Sequence, residues 1–582
     1  MLSIPTRALG CALLLASLLI LPTAVNAASV GNPLCPGEEV LFNPGNGEDI
    51  VVPDGFKVSV FAAGLNFPTG IAFRGDSRRF EVYVLESGAF GPSRCDNGVA
   101  WQRAGLPGNP ITPDIRVFDR SAKLLRTLGK PTDAGSPNAN AFQPSGPAAD
   151  IAFELGLAGG RLFATDNGAN GGRILNVDPT TGKVTQLITG LPAGPTGQLA
   201  LHGGWIYWAA GSTTNNGVVD SAGGQPEIPC QDITLSQNVF DAGNGNFTSG
   251  FSPFGHTNKG GTMPAFFDGT TGKVRKGVCN GAVLRAPLGN LSAIEPFSWG
   301  YRDGYAIRFA PDDHPLAGGL VVGEDGEDEG GVRPSSNAPE SLHLARQNPD
   351  GSPDYHGWPD RFGFLPSNQA VFNPVGSPFD ALCVFDASNP PSMCTPASLK
   401  QILAEDVPTR DVLAFPPQPI TSPLAIEATA SSFTAIDFAP NAFVGGPVQS
   451  GAALYSLEGD FGFSAANASA PAPEAGHEVK LINFGQPGDA DEDERAGRKP
   501  LVLAFQRFAY NKTFEGAFVS GIAGFNRPTN VRFGPDGCAY VADYGAIRDF
   551  GRSDPDTGVK NPADGALVQI PGTGVIWKIC AR

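Results

Sequence analysis

Six times along this chain a short apolar strand is followed by a turn and a second apolar strand, and that repetition constrains the fold most. Residues 68–73 lead to 82–88, 150–153 to 161–166, and 196–201 to 205–208. Residues 306–309 lead to 320–323, 433–438 to 453–456, and 527–533 to 539–543. Apolar side chains at every second position predict strands with one face toward a core. In the last copy Gly534-Pro535-Asp536-Gly537 supplies the turn, Pro presetting φ and Gly accepting φ > 0. Such a unit cannot bury both faces alone, so six copies predict six blades around an axis. The expected fold is therefore all-β, a six-bladed β-propeller with long inter-blade loops. Two further strands, at 56–61 and 574–579, are expected to pair within one blade and close the ring.

The blade intervals are uneven, and segments 212–280 and 360–430 hold most of the excess. Insertions of this kind collect on one face of a propeller, where they can wall a pocket. The 76 Gly and 53 Pro are spread along the whole chain, with no shift in composition that would mark a linker. One propeller over 48–582 is expected, after an extension at 28–47 and an export signal at 1–27. The signal reading rests on Arg7, an apolar run over 8–21, and the small-residue site Val25-Asn26-Ala27. The run is shorter than the roughly 20 residues that a bilayer span requires. A secreted or periplasmic protein is expected.

Removing the signal takes Cys11 and leaves eight of the nine cysteines. An even number in an exported chain favours disulfides, and the spacings do not suit zinc. Cys383 with Cys394 and Cys538 with Cys580 are candidate pairs. The net charge is −17, or near −18 once Arg7 is removed, since the signal carries no acid. So acidic a chain disfavours nucleic-acid and membrane partners and says nothing about substrate.

One run carries a resemblance. Trp299-Gly300-Tyr301-Arg302-Asp303-Gly304-Tyr305-Ala306-Ile307-Arg308-Phe309 resembles a blade motif of the glucose/sorbosone dehydrogenase family. Gly323-Glu324-Asp325-Gly326, Pro339-Glu340-Ser341-Leu342 and Tyr355-His356-Gly357-Trp358-Pro359 follow in the family's order. The resemblance implies a propeller that binds pyrroloquinoline quinone (PQQ) near its axis, with calcium, and oxidises a carbohydrate or related alcohol or aldehyde. It places Arg302 and Asp303 at the cofactor, with Trp358 lining or bracing the site. An Arg suits that role because its fork of donors can hold carboxylates and carbonyl oxygens at two points.

Two positions depart from the family's pattern. Asp303 stands where the family has Asn, adding negative charge beside a trianionic cofactor. Gly194 stands where sugar-oxidising members carry a general-base His, and Gln198 replaces an Arg. An alcohol that gives up hydride must also lose a proton, so a base is expected. Of the six histidines, His256, in a long Gly-rich insertion, is the best candidate. His202 reads as a turn residue, and His343 and His356 as packing or surface residues. The acidic run beginning Glu324-Asp325 follows a strand directly, which makes these two carboxylates candidate calcium ligands. Two non-redox readings stand beside the dehydrogenase: a ligand-binding propeller of the same ancestry, and a calcium-dependent lactonase-like hydrolase. Converging carboxylates at the axis would favour the last.

Overall fold

The computed structural model describes residues 28–31, 33, 39–88, 110, 112–128, 147–154, 160–168, 171–192, 194–214, 227–234, 240–243, 246–248, 262–326, 338–358, 361–362, 365–366, 423–428, 431–459, 475–484, 502–548 and 568–582. They form a six-bladed β-propeller, each blade a sheet whose first strand lies beside the axis. Blade 1 runs outward through Pro68–Gly75, Phe80–Glu86, Asp114–Asp119 and Leu124–Leu128. Blade 2 comprises Ala148–Phe153, Leu162–Gly168, Gly171–Val177 and Val184–Ile188. Blade 3 comprises Thr196–His202, Trp205–Ala210, Ala282–Pro287 and Glu295–Trp299, with Asp354–Tyr355 parallel at its edge. Blade 4 comprises Asp303–Phe309, Leu320–Asp325, Glu340–Ala345 and Ala425–Glu427. Blade 5 comprises Phe433–Phe438, Ala453–Leu457, Glu478–Phe484 and Val502–Asn511, and Ile50–Val51 joins its outer edge. Blade 6 comprises Pro528–Phe533, Ala539–Asp543, Gly574–Ala581 and Phe56–Leu65.

Each hairpin expected from the repeats supplies the inner and second strands of one blade. Their burial differs from the expected alternation: Pro68–Gly75 and Leu320–Asp325 each bury five residues in succession. The inner half of a blade lies between two neighbouring blades, so both of its faces are covered and successive residues are buried, Thr69 and Glu324 among them. The ends close as expected, with Val60 opposite Trp577 and Val58 opposite Ile579. A Cys538–Cys580 disulfide ties the same blade. Cys383 and Cys394 lie outside the described residues.

Threonines near the start of three inner strands stitch neighbouring blades together. Thr69 Oγ1 donates to the Ala148 carbonyl (3.1 Å), Thr434 to that of Pro528 (2.8 Å), and Thr529 to that of Pro68 (2.7 Å). Further along the axis a buried polar plug joins four blades. Arg532 donates to Asp150 Oδ2 (3.3 Å), Gln198 Oε1 (3.1 Å) and the Ile436 carbonyl (3.1 Å). Gln198 Nε2 donates to the Thr434 carbonyl (2.8 Å), and Asn530 Nδ2 to Asp150 Oδ1 (3.3 Å). Burial pushes Asp150 up and Arg532 down, so hydrogen bonding and mutual attraction must offset a desolvation cost.

A second clamp holds the root of the insertion between the second and third strands of blade 3. Buried Glu227 accepts hydrogen bonds from Thr213 N (3.0 Å), Thr214 N (2.7 Å), Thr214 Oγ1 (2.6 Å) and Asn280 Nδ2. Asn280 Oδ1 in turn accepts from Ile228 N (2.5 Å), and a Cys230–Cys279 disulfide lies beside it.

Removing one member of the plug leaves its partner buried without a counter-charge. Arg532→Met should therefore lose roughly 3–5 kcal/mol, and the double variant with Asp150→Leu should lose less than Arg532→Met alone. Denaturant titration reads both, and equal losses would show that the pair does not act as a unit. Cys538→Ser opens a loop of 42 residues and should cost roughly 2–4 kcal/mol by the same measurement.

Candidate axial site

The inner strands begin, and the second strands end, on the same face of the propeller. There the sequence repeats a feature besides strand pattern. Five of the second strands carry an acid within two residues of their end, with a glycine one or two residues on: Glu86-Ser-Gly88, Asp166-Asn-Gly168, Asp325-Gly326, Glu458-Gly459 and Asp543-Tyr-Gly545. Blade 3 has Ala210-Gly211 instead. Three of these acids are committed to the scaffold. Glu86 Oε1 accepts from Asn66 N (2.7 Å), and Asp166 pairs with Arg173. Asp543 accepts from the backbone N–H groups of Asn526 (2.7 Å) and Arg527 (2.8 Å), and from Trp577 Nε1 (3.0 Å). Asp325 and Glu458 make no side-chain hydrogen bond among the described residues, and both line a cavity at the mouth of the axis.

That cavity has a volume of about 90 Å³ and is lined also by Asp303, Tyr305, Tyr544 and the stitching threonines. Asp303 stands opposite Asp325 in the register of blade 4, an arrangement that repels when both are ionised. Burial holds Asp325 well above the usual carboxylate range, and the carboxylates of Glu340, Asp303 and Glu458 raise it further, against the pull of Arg302. Glu458 is pushed up to about 7 by burial, with Arg527 opposing and Asp543 adding to the effect. Burial also raises the Tyr305 hydroxyl well above its ordinary value. Tyr544 is held in place, its hydroxyl donating to Gln569 Oε1 (2.6 Å) and its ring stacked on Phe67 at 5.1 Å. Burial in the mouth thus favours the protonated forms of Asp325 and Glu458.

The residues singled out in the sequence separate into three groups. Asp303 and Asp325 line the cavity together. Arg302 is half-buried at its edge, its backbone N–H donating to Glu324 Oε1 (2.6 Å). Glu324 sits behind the cavity, buried, with Oε2 at 2.8 Å from His343 Nε2. Burial pushes His343 down despite this partner. Tyr301 stacks on His356 at 4.9 Å, and His356 pairs with Asp354 at 3.1 Å. Trp358 is buried in the core of blade 3, against Gly281, and is not among the lining residues. His256 lies outside the described residues. Among the described residues no group of three or more His, Cys, Asp or Glu is arranged to hold a metal ion.

Gly194 is fixed by packing. A Cβ there would lie 2.1 Å from the Gly211 carbonyl oxygen and 2.7 Å from that of Ser212. Backbone atoms leave no room for a side chain at this position. Sequence reasoning missed Glu458 and Tyr305, although the recurrent acid–glycine ending of the second strands pointed to the first.

No family model matches the chain, and no curated protein matches it either. Among solved structures, it is similar to the soluble aldose sugar dehydrogenase from Escherichia coli in its apo-form. That similarity is at 12% identity and TM-score 0.42, over 90% of this chain and 100% of the other. A luciferin-regenerating enzyme matches at 7% identity and TM-score 0.33, over 90% and 95% of the two chains. At these values neither likeness carries an activity across. The cavity itself suits PQQ poorly. Among its described lining residues three are carboxylates and none is Arg, Lys or His. A trianionic quinone would meet repulsion there, with Arg302 and Arg527 near the lining carboxylates but not among the lining residues.

Glu458 makes folding sensitive to pH in a defined direction. Its pKa rises from an ordinary 4.5 to about 7 on folding. The stability from its retained proton is full below pH 4.5 and is lost as pH rises through about 7. Melting temperature should therefore fall between about pH 5 and pH 8, and Glu458→Gln should flatten that fall. Parallel profiles for the two proteins would show that Glu458 does not titrate in this window.

Proposed function

We propose that the axial cavity takes a small, neutral, hydroxyl-rich molecule, a sugar or sugar lactone, and acts on it by acid–base chemistry of carboxylates. The observation that carries this reading is the in-register pair Asp303 and Asp325, facing one cavity without a cationic lining residue. Two carboxylates so placed hold one proton between them, leaving an acid and a base side by side. Threonine and tyrosine hydroxyls around them suit a ligand that offers many hydroxyls and no charge.

Lactone opening is the reaction class that uses such a pair. The ionised carboxylate takes a proton from water as the water oxygen bonds to the acyl carbon. The ring C–O bond then breaks, and Asp325 gives its proton to the departing oxygen. The product is a hydroxy acid; its carboxyl proton is released to solvent, the proton on the base passes back to Asp325, and the product's negative charge favours release from an acidic mouth. Export to an oxidising compartment agrees with the Cys230–Cys279 and Cys538–Cys580 disulfides. No helix among the described residues is long and apolar enough to cross a membrane.

One observation favours a second reading, a quinoprotein oxidoreductase: Arg302 stands at the cavity edge beside Asp303, where the resemblance places a cofactor-binding Arg. A single preparation separates the two. With glucono-lactone in a pH-stat, acid release should be saturable, and Asp325→Asn should lower kcat/KM by about a hundredfold. Unchanged turnover in Asp325→Asn would sink the hydrolytic reading. Saturable binding of PQQ with calcium, followed by sugar-dependent reduction that Arg302→Ala abolishes, would establish the dehydrogenase.

A further inference from the structure

Beyond the polar plug the axis opens on the opposite face as a funnel of about 540 Å³, a size that accommodates small molecules. Its floor holds Arg308, Arg532 and Asp150, and its wall includes Phe73, Phe153, Phe309 and Phe533. The His202 ring also faces it, stacked on Phe309 at 4.3 Å with the planes 13° apart. The two ends of the axis therefore differ in chemistry: carboxylates and hydroxyls at one, guanidinium groups and aromatic rings at the other.

The acids near the funnel floor are committed to the scaffold. Asp437 Oδ1 accepts from Arg308 Nε (2.7 Å) and Phe438 N (3.0 Å), and its Oδ2 from Phe533 N (2.8 Å). Asp150 accepts from Leu199 N (3.2 Å), Arg532 (3.3 Å) and Asn530 (3.3 Å). Arg308 is held through Nε alone. Its side chain is 36% exposed, and Nη1 and Nη2 make no hydrogen bond among the described residues. Asp312, at the rim, is exposed and screened by solvent. The result is a fixed fork of donors at the bottom of an aromatic-walled recess.

We propose that this funnel is a second binding site, for a small aromatic monocarboxylate. The free edge of the Arg308 guanidinium takes the carboxylate in two-point contact. The ligand ring lies among the phenyl groups and the His202–Phe309 stack. The plug separates this site from the axial cavity, so the two bind independently.

Benzoate and its neutral isostere benzamide test this on the full protein by calorimetry and saturation-transfer NMR. Benzoate should bind saturably, benzamide at least about tenfold more weakly, and Arg308→Gln should weaken benzoate by a similar factor. Asp325→Asn, at the other end of the axis, should leave benzoate binding unchanged. No saturation up to about 10 mM benzoate, or equal binding of benzamide, would overturn the proposal. So would binding that Asp325→Asn abolishes and Arg308→Gln does not. Arg308→Gln also leaves Asp437 without its cation; the benzoate–benzamide comparison on the unaltered protein decides the matter if that variant fails to fold.

Discussion

The propeller depends on one strand pairing, that of Phe56–Leu65 with Gly574–Ala581, because it joins chain segments more than 500 residues apart into a single blade. Until it forms, the first and last repeats each present an open edge, and the inner strands have no fixed circumference to pack against. Once it forms, each blade is held between two neighbours, which is why the inner strands are buried on both faces. Threonine bonds between neighbouring inner strands then set the spacing at the axis, and the buried side chains of Arg532, Asp150, Gln198 and Asn530 fill its middle. The disulfide at Cys538 and Cys580 reinforces the same blade.

With the middle of the axis filled, chemistry is left to its two ends. At one end the repeat places an acid on almost every blade, and the structure commits three of them to the scaffold, Glu86 and Asp543 to backbone N–H groups and Asp166 to Arg173. Asp325 and Glu458 are the exceptions, and with Asp303 they make the mouth acidic. A fold built for rotational repetition has thus produced an asymmetric site by leaving some members of a repeated set without a side-chain hydrogen bond among the described residues. At the other end two arginines stand among phenyl rings, one held on several sides and one only through Nε.

Much of the fold was legible in the sequence because strands leave a local record. Each of the six hairpins, and the closing pair, can be read from alternating apolar residues and turn chemistry within a few tens of residues. The axial plug leaves no such record. Asp150, Gln198 and Arg532 lie far apart in the chain, and each looks like an ordinary polar residue of its own strand. The candidate site was legible only in part. Asp303 was reached through a resemblance to a blade motif and Asp325 through the acidic run after a strand, whereas Glu458 needed the repeats to be aligned at their second-strand ends. Trp358, singled out by the same resemblance, packs in the blade 3 core instead of lining the cavity, since the turn at Gly300 and Gly357 carries it beneath Gly281. At Gly194 only the packing showed that the surrounding backbone leaves no room for a side chain.

The clamp at the root of the blade 3 insertion has a consequence for how such a protein can diversify. Glu227, Asn280 and the Cys230–Cys279 bridge fasten both ends of the insertion to one another beside the strands that carry it. The blade therefore experiences the insertion as a fixed hinge-plate, whatever sequence lies beyond. Segments of other length and composition can be exchanged on that mounting without disturbing the register of blade 3. New specificity could thus arise by replacing a cassette on this chain while the ring that carries it remains unaltered.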